Sequence, residues 1–280
     1  MAAWTENQLP KLRAVDIRPF ARDGRVYLLL RDPLQLTDKV VTIPQQLGPL
    51  LPLCDGTRDG DALRAALAVR FGMRIGPDVM EGLLLALDEA LLLDNERFAR
   101  AQERALIEYR QAPFRHPFSA GRSYPADANE LRRLLQSYLD GVDEEDGEID
   151  AADVRGLVSP HIDYARGGSV YARVWKRAED AVKAADLVVL LGTDHMGGNG
   201  TLTLTRQHYT TPFGVLPTPR GVVDTLANAL GAEAAFADEL HHRSEHSIDL
   251  ALVWLHYMRE EEPCEAVSYT HLTLPTILLV

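Results

Sequence analysis

Cysteine is scarce in this chain of 280 residues, which contains only Cys54 and Cys264. The two do not form a CxxC pair, so the sequence predicts neither a disulfide framework nor a zinc–thiolate site. Free thiols are typical of a reducing compartment. Residues 1–6 lack the pattern of a signal peptide, and no stretch approaches about 18 uninterrupted apolar residues. We therefore expect a soluble cytoplasmic protein with no membrane span.

Positive charge is also in short supply, because 29 Lys and Arg residues stand against 41 Asp and Glu residues, a formal net charge of −12. Nucleic acids and anionic membranes are bound by clustered Lys and Arg. The balance therefore argues against a nucleic-acid or membrane partner. A hydrophobic content of 46% predicts a packed core, and the length suffices for two domains.

The first 95 residues have the pattern of a small α+β domain. Periodicity predicts strands at 24–30 and 40–43, followed by helices at 44–53, 59–71 and 77–93. This order is typical of a winged-helix or three-helix module. The segments 50–57, 63–67 and 91–93 also resemble peptide-binding modules of the PqqD type, which implies a peptide or protein partner. A purely structural N-terminal domain is the alternative.

A helical linker is predicted at 96–112, and a second domain at 113–266. In the second domain a helix at 127–139 precedes an acidic loop at 141–150, to which we assign no metal. Strands then alternate with helices, which predicts an α/β fold with a mostly parallel sheet covered on both faces. The predicted strands are 154–158, 186–191 and 201–206, and the predicted helices are 167–184, 220–230 and 247–258.

Three histidines stand where α/β proteins commonly place their chemistry. His161 and His195 each follow a predicted buried strand, and His246 opens a helix. Ligands of open α/β sheets bind beyond the carboxyl ends of the strands, so these side chains can converge. Any one of them taken alone can simply cap a turn. Taken together they predict a metal site, because a metal explains the gathering of imidazoles.

Five motifs carry a resemblance to a known family, and they occur in its order. They are Ala120–Asp127 (AGRSYPAD), Pro160–Tyr164 (PHIDY), Leu190–His195 (LLGTDH), Thr211–Gly214 (TPFG) and Glu245–Asp249 (EHSID). Over residues 115–266 the chain resembles the Memo-like proteins, which occur as protein B of the AmmeMemoRadiSam system. The resemblance implies the fold of class III extradiol dioxygenases and a metal held mainly by histidines.

Carried over position by position, the resemblance makes His161, His195 and His246 the metal ligands. The implied cofactor is a divalent metal, iron in the first place, with copper as the second choice. The implied partners are the radical-SAM protein and the other members of the system.

Two carboxylates depart from the family pattern. Asp163 stands where relatives have glycine, and it can either orient His161 by accepting its second N–H or cap the turn. Asp194 stands where serine is frequent. It can accept a hydrogen bond beside a metal ligand or cap a helix or turn, and capping is the expected role. Asp163, Asp194 and Tyr164 of the PHIDY motif are candidate catalytic residues.

An extradiol oxygenase needs ferrous iron held by two histidines and a carboxylate. Glu245 can supply the carboxylate, but neighbours on a helix point about 100° apart, so we expect that it does not share an ion with His246. Glu245 is also suited to a helix N-terminus. His241, close by in sequence, is a candidate for proton transfer or an ordinary loop histidine.

The segment 267–280 resembles a translated sequencing adapter, and we expect it to be non-native. In that case His271 is not a ligand and the Memo-like domain is incomplete. Two functions from different classes follow from the sequence. One is a metal-binding, non-haem iron oxygenase-like enzyme, and the other is a non-catalytic scaffold or peptide-binding protein with a vestigial dioxygenase-like site.

Overall fold

The computed structural model describes residues 9–142, 154–197 and 202–271. The chain divides into two compact units, Met1–Ile107 and Glu108–Val280. The predicted acidic loop falls almost wholly outside the described residues. Within these ranges no helix is both long and apolar enough to cross a membrane. The predicted four-part domain division stays a prediction.

The N-terminal unit begins with an antiparallel sheet in the order β1–β2–β3, formed by Asp16–Arg22, Arg25–Arg31 and Val40–Pro44. A two-residue turn joins β1 to β2. Its residues, Asp23 and Gly24, have φ angles of 51° and 71°. Asp-Gly is favoured in such turns because both positions need positive φ. Strand β1 is not among the strands predicted from the sequence.

Helices follow the sheet. A 3-10 helix covers Gln45–Leu53, where an α-helix does not form because Pro49 and Pro52 lack the N–H groups that it needs. The α-helices that follow are α1 (Gly60–Phe71), α2 (Pro77–Glu89) and α3 (Glu96–Gln111). Leucines from the sheet and the helices form the core of the unit: Leu30, Leu50, Leu63, Leu67, Leu84 and Leu87.

The second unit is mixed α/β. Its helices are α4 (Ala128–Leu139), α5 (Tyr164–Arg177), α6 (Glu179–Ala184), α7 (Arg220–Leu230), α8 (Ala232–Phe236) and α9 (His246–Met258). Its strands are β4 (Leu187–Thr193), β5 (Thr203–Leu204), β6 (Tyr209–Thr211), β7 (Gly214–Leu216) and β8 (Glu265–His271). A 3-10 turn, Glu239–Arg243, precedes α9.

The main sheet of this unit has the order β4–β8–β5 in the described residues. The pair β4–β8 is parallel and the pair β5–β8 is antiparallel, so a mostly parallel covered sheet is not confirmed. The predicted strand at 154–158 is wrong, since that segment has no strand structure. A strand needs a hydrogen-bonding neighbour, and 154–158 makes no ladder with any described strand.

Helix α9 lies at the centre of the core. Most of its residues are buried. Its Trp254 side chain is fully buried and packs against the rings of Tyr164 and Tyr171 on α5. A helix that is apolar on nearly all sides must be enclosed by other elements. The N-terminus of α9 meets the carboxyl end of β4, and this is where the histidines gather.

Candidate metal centre

The three predicted histidines lie together. The ring centroids of His195 and His246 are 4.3 Å apart, and that of His161 is 5.3 Å from His195 and 6.0 Å from His246. His195 follows β4, as predicted. His161 does not follow a strand, because the segment before it is irregular, yet it reaches the same place.

A buried carboxylate lies beneath two of these rings. Both oxygens of Glu245 are 3.0 Å from Nδ1 of His195, and Oε1 is 3.6 Å from Nδ1 of His246. The Glu245 side chain is 4% exposed, whereas those of His195 and His246 are each 40% exposed. The arrangement is an imidazole cluster open to solvent above one enclosed negative charge.

The structure brings the side chains of Glu245 and His246 close together, although helical spacing predicts that they point about 100° apart. Ligand atoms of His195, Glu245 and His246 all lie within 4.8 Å of one another. Helical geometry does not apply to Glu245, because it is the N-cap of α9 with φ −71° and ψ 117°. Its side chain accepts from the Ser247 N–H at 2.7 Å, which turns the carboxylate back towards the helix start.

Contacts of Ser247, Gly192 and His195 hold the end of β4 against the start of α9. The Ser247 hydroxyl accepts from the Thr193 N–H at 2.9 Å and donates to the Thr193 carbonyl at 3.3 Å. Gly192 permits this approach, since a Cβ there would lie 2.5 Å from Cγ1 of Ile248. The backbone N–H of His195 then reaches Glu245 Oε2 at 3.2 Å. The segments LLGTDH and EHSID therefore pack directly against each other and are joined by hydrogen bonds.

A buried ion pair supports the segment that carries Glu245. Arg115 donates from Nη1 to Asp249 at 3.0 Å and from Nη2 to the Glu245 carbonyl at 2.8 Å, and its Nε donates to the His242 carbonyl. The other oxygen of Asp249 accepts from the Tyr124 hydroxyl and from the Ser119 N–H. The side chains of Arg115 and Asp249 are at most 1% exposed, so each charge depends on the other.

Sequence reasoning missed Arg115 and gave Asp249 no role. Arg115 stands alone between prolines and shows no motif. Asp249 follows His246 by three positions, and its signal was an acidic residue at a position where α9 is otherwise apolar.

His241 contacts Asp194, another carboxylate residue predicted for this site. Its Nδ1 lies 2.8 Å from Oδ2 of Asp194, and Oδ1 of Asp194 accepts from the Met196 N–H at 3.0 Å. Burial acts to raise the pKa of Asp194, but the hydrogen bond and charge of His241 outweigh it, and the pKa is lowered. Asp194 therefore both caps its turn and orients His241.

The two remaining candidates have structural partners. Asp163 is the N-cap of α5, accepts from the Arg166 N–H and pairs with the Arg166 guanidinium. Tyr164 is 1% exposed, and its hydroxyl donates to the Leu250 carbonyl at 2.7 Å. These contacts favour capping for Asp163 over orientation of His161, and core packing for Tyr164.

Burial sets the protonation of the cluster. It lowers the pKa of His161 and of His246, and the neighbouring charge of His195 adds to both shifts. For Glu245, burial acts to raise the pKa, but the hydrogen bonds from Ser247 and His195 prevail and lower it. Neutral rings at His161 and His246 and an ionised carboxylate at Glu245 are the forms in which these groups can bind a metal ion.

Known proteins are similar to this chain in sequence. The family described as Memo-like protein matches residues 115–267, which is more than half of the chain. A MEMO1 family protein of Aquifex aeolicus is 28% identical over 252 residues, covering 90% of this chain and 64% of that protein. One from Desulfurococcus amylolyticus is 35% identical over 159 residues, 53% of each chain, and one from Methanosarcina barkeri is 30% identical over 148 residues, 53% of this chain and 51% of that protein.

The chain thus spans from about half to just under two thirds of the length of these relatives. The matched region contains all three histidines, Glu245 and the Arg115–Asp249 pair that supports them. The chain belongs to the Memo-like family.

Proposed function

We propose that this protein binds a divalent metal ion, iron in the first place and copper as the second choice, through His161, His195 and His246. The observation that carries the proposal is the gathering of ligand atoms from His195, Glu245 and His246 within 4.8 Å of one another, with the His161 ring beside them. Imidazole and carboxylate donors suit iron and copper, and the exposed rings leave room for a further ligand.

Glu245 has two roles that fit its position. In the first it holds Nδ1 of His195, which orients the ring and leaves Nε2 for the ion, as carboxylates commonly do beside metal-binding histidines. In the second it is itself a ligand in a set of two histidines and one carboxylate, the set used by non-haem iron oxygenases. We favour the first role, because both carboxylate oxygens already contact His195.

An oxygenase-like activity is the enzymatic form of the proposal. Bound ferrous iron would supply redox chemistry towards dioxygen and a catecholic substrate. His241 would hold or move a proton at Nε2, because Asp194 fixes the ring through Nδ1. Its side chain is 11% exposed, so a small part of the ring is open to solvent.

Metal loading under anaerobic conditions tests the proposal. The wild-type chain should retain about one ferrous ion after desalting, and His195→Ala and His246→Ala should lose it. His116→Ala is the matched control, because His116 is exposed and lies outside the cluster. Oxygen uptake with catechol then tests the activity. If the wild-type chain retains no iron or copper, or if the cluster variants retain as much as wild type, the metal proposal fails.

Glu245→Gln separates the two roles of that residue. If Glu245 only orients His195, an amide can take its place and the affinity for iron should fall about 10–100-fold. If Glu245 is an anionic ligand, the amide cannot replace it and iron binding should be lost. Retained but weaker iron binding supports the orienting role, and complete loss supports direct ligation.

We further propose that the N-terminal unit is a winged-helix-like module that binds a peptide or protein, and that the protein acts with the radical-SAM protein and the other members of its system. The three-stranded sheet followed by helices supports the first part, and the family resemblance supports the second. Co-elution of the full chain with the radical-SAM protein tests the partnership. Partner binding without any metal binding would favour the scaffold alternative.

A further inference from the structure

Three arginines line a cavity in the unit of residues 108–280. The cavity has a volume of about 170 Å³ and is bounded by Arg110, Arg206, Arg220, Gln207 and Glu239. None of these residues belongs to the histidine cluster, so the cavity is a site of its own.

Two of the arginines are fixed by carboxylates through one edge of the guanidinium. Nε of Arg110 donates to Glu239 at 2.7 Å, and Nε of Arg206 donates to Asp224 at 2.6 Å. The Arg206 guanidinium also lies 4.1 Å above the ring of Phe236. A guanidinium carries five N–H donors, so these two ion pairs leave the Nη donors of both arginines for another acceptor.

Arg220 supplies the unbalanced charge of the cavity. It forms no ion pair within residues 9–142, 154–197 and 202–271, and it is the first residue of α7. The N-cap of that helix, Pro219, offers no side-chain cap, so the positive end of the helix adds to the arginine charge. Three arginines against Glu239 and Asp224 leave one positive charge in excess, in a chain of net charge −12.

Glu239 does not compete for the open donors. Its Oε2 accepts from Arg110, and its Oε1 accepts from the Thr205 hydroxyl at 2.9 Å. Gln207 is likewise occupied, because its Nε2 donates to the backbone carbonyls of Tyr109 and Ala112. Both residues are buried, so they form a fixed wall against which the arginines are held.

We propose that this cavity binds a phosphate group, carried by free phosphate or by a small phosphorylated molecule. The planar forks of arginine match the oxygens of phosphate with paired hydrogen bonds. The carboxylates of Glu239 and Asp224 orient two of those forks before the ligand arrives, which lowers the cost of ordering them on binding.

Calorimetric titration with inorganic phosphate at constant ionic strength tests the proposal. We expect saturable binding to the wild-type chain, and binding about 10–100-fold weaker in Arg220→Gln, since a hydrogen bond to a charged group is lost. Arg220→Lys keeps the charge but lacks the planar guanidinium, so its affinity for phosphate should lie between those of wild type and Arg220→Gln. Arg133→Gln, which removes an exposed arginine of α4, should bind like wild type. Thermal unfolding without phosphate verifies that each variant folds.

A second titration, with glycerol phosphate, identifies the source of the phosphate group. Tighter binding of the monoester assigns the site to a phosphorylated small molecule, and equal or weaker binding assigns it to free phosphate. The proposal is overturned if Arg220→Gln binds phosphate as wild type does, if binding does not saturate, or if malonate displaces phosphate at equal concentration.

Discussion

Lowering the pH should destabilise this protein, and His242 should account for a large share of the loss. Burial lowers the pKa of this fully enclosed imidazole from 6.5 to about 4. Its Nε2 donates to the Thr203 carbonyl at 2.9 Å, and its Nδ1 accepts from the Tyr209 hydroxyl at 2.6 Å. The acceptor role of Nδ1 requires the neutral ring, so a second proton breaks the contact with Tyr209.

The direction follows from proton binding in the two states. Between pH 6.5 and pH 4 the unfolded chain holds a proton on His242 that the folded chain does not, so the free energy of unfolding rises with pH. At about 1.36 kcal/mol for each pKa unit, the contribution is about 3 kcal/mol. It is fully present above pH 6.5 and is lost as the pH falls towards 4.

Urea unfolding at a series of pH values across this window measures the effect. His242→Phe should be less stable than wild type at neutral pH, because it leaves two buried partners unpaired, but its stability should fall less on acidification, by about 3 kcal/mol over the window. His116→Ala, at an exposed site, should keep the wild-type slope. His161, His246 and His256, whose pKa values are also lowered, remain in both variants. An unchanged slope in His242→Phe refutes the reasoning.

Two further changes test the support of the site. Arg115→Met leaves the buried Asp249 carboxylate without its cation and should cost about 3–5 kcal/mol in urea unfolding, and a loss below about 1 kcal/mol would contradict the assigned support. Gly192→Ala places a Cβ 2.5 Å from Ile248, so stability should fall by about 1–3 kcal/mol and ferrous-ion affinity with it; unchanged thermal unfolding and metal titration would show that β4 and α9 can separate freely.

Local signals in the sequence were sufficient for most helices. Asp59 and Asp127 cap α1 and α4 as their positions indicate, and Pro77 occupies the first turn of α2. Strand β1 was missed although Asp23-Gly24 is the usual dipeptide of a tight hairpin, because Pro19 and three charged residues mask its alternation. The strand at 154–158 failed for the opposite reason, since its pattern is favourable but no neighbour pairs with it.

The site was predictable in its residue types and not in its connections. The family-like motifs identified His161, His195 and His246, and all three rings do meet. The Glu245 contact to His195 joins residues 50 positions apart, and Arg115 joins Asp249 across 134 positions. Such contacts depend on the packing of α9 against β4, which no local pattern contains.

The five residues Glu245–Asp249 give the clearest account of why the motif has its spacing. Glu245 precedes the helix, so its carboxylate can fold back to Ser247 and reach His195, while His246 begins the helix and stays half exposed. Ser247 joins the helix to the end of β4. Asp249 lies one turn further into the core, where only a buried cation can balance it, and Arg115 does so while holding the Glu245 carbonyl. A shift of one position would put the carboxylate that contacts His195 inside the helix, so the motif specifies the cap, the half-exposed imidazole and the buried anchor together.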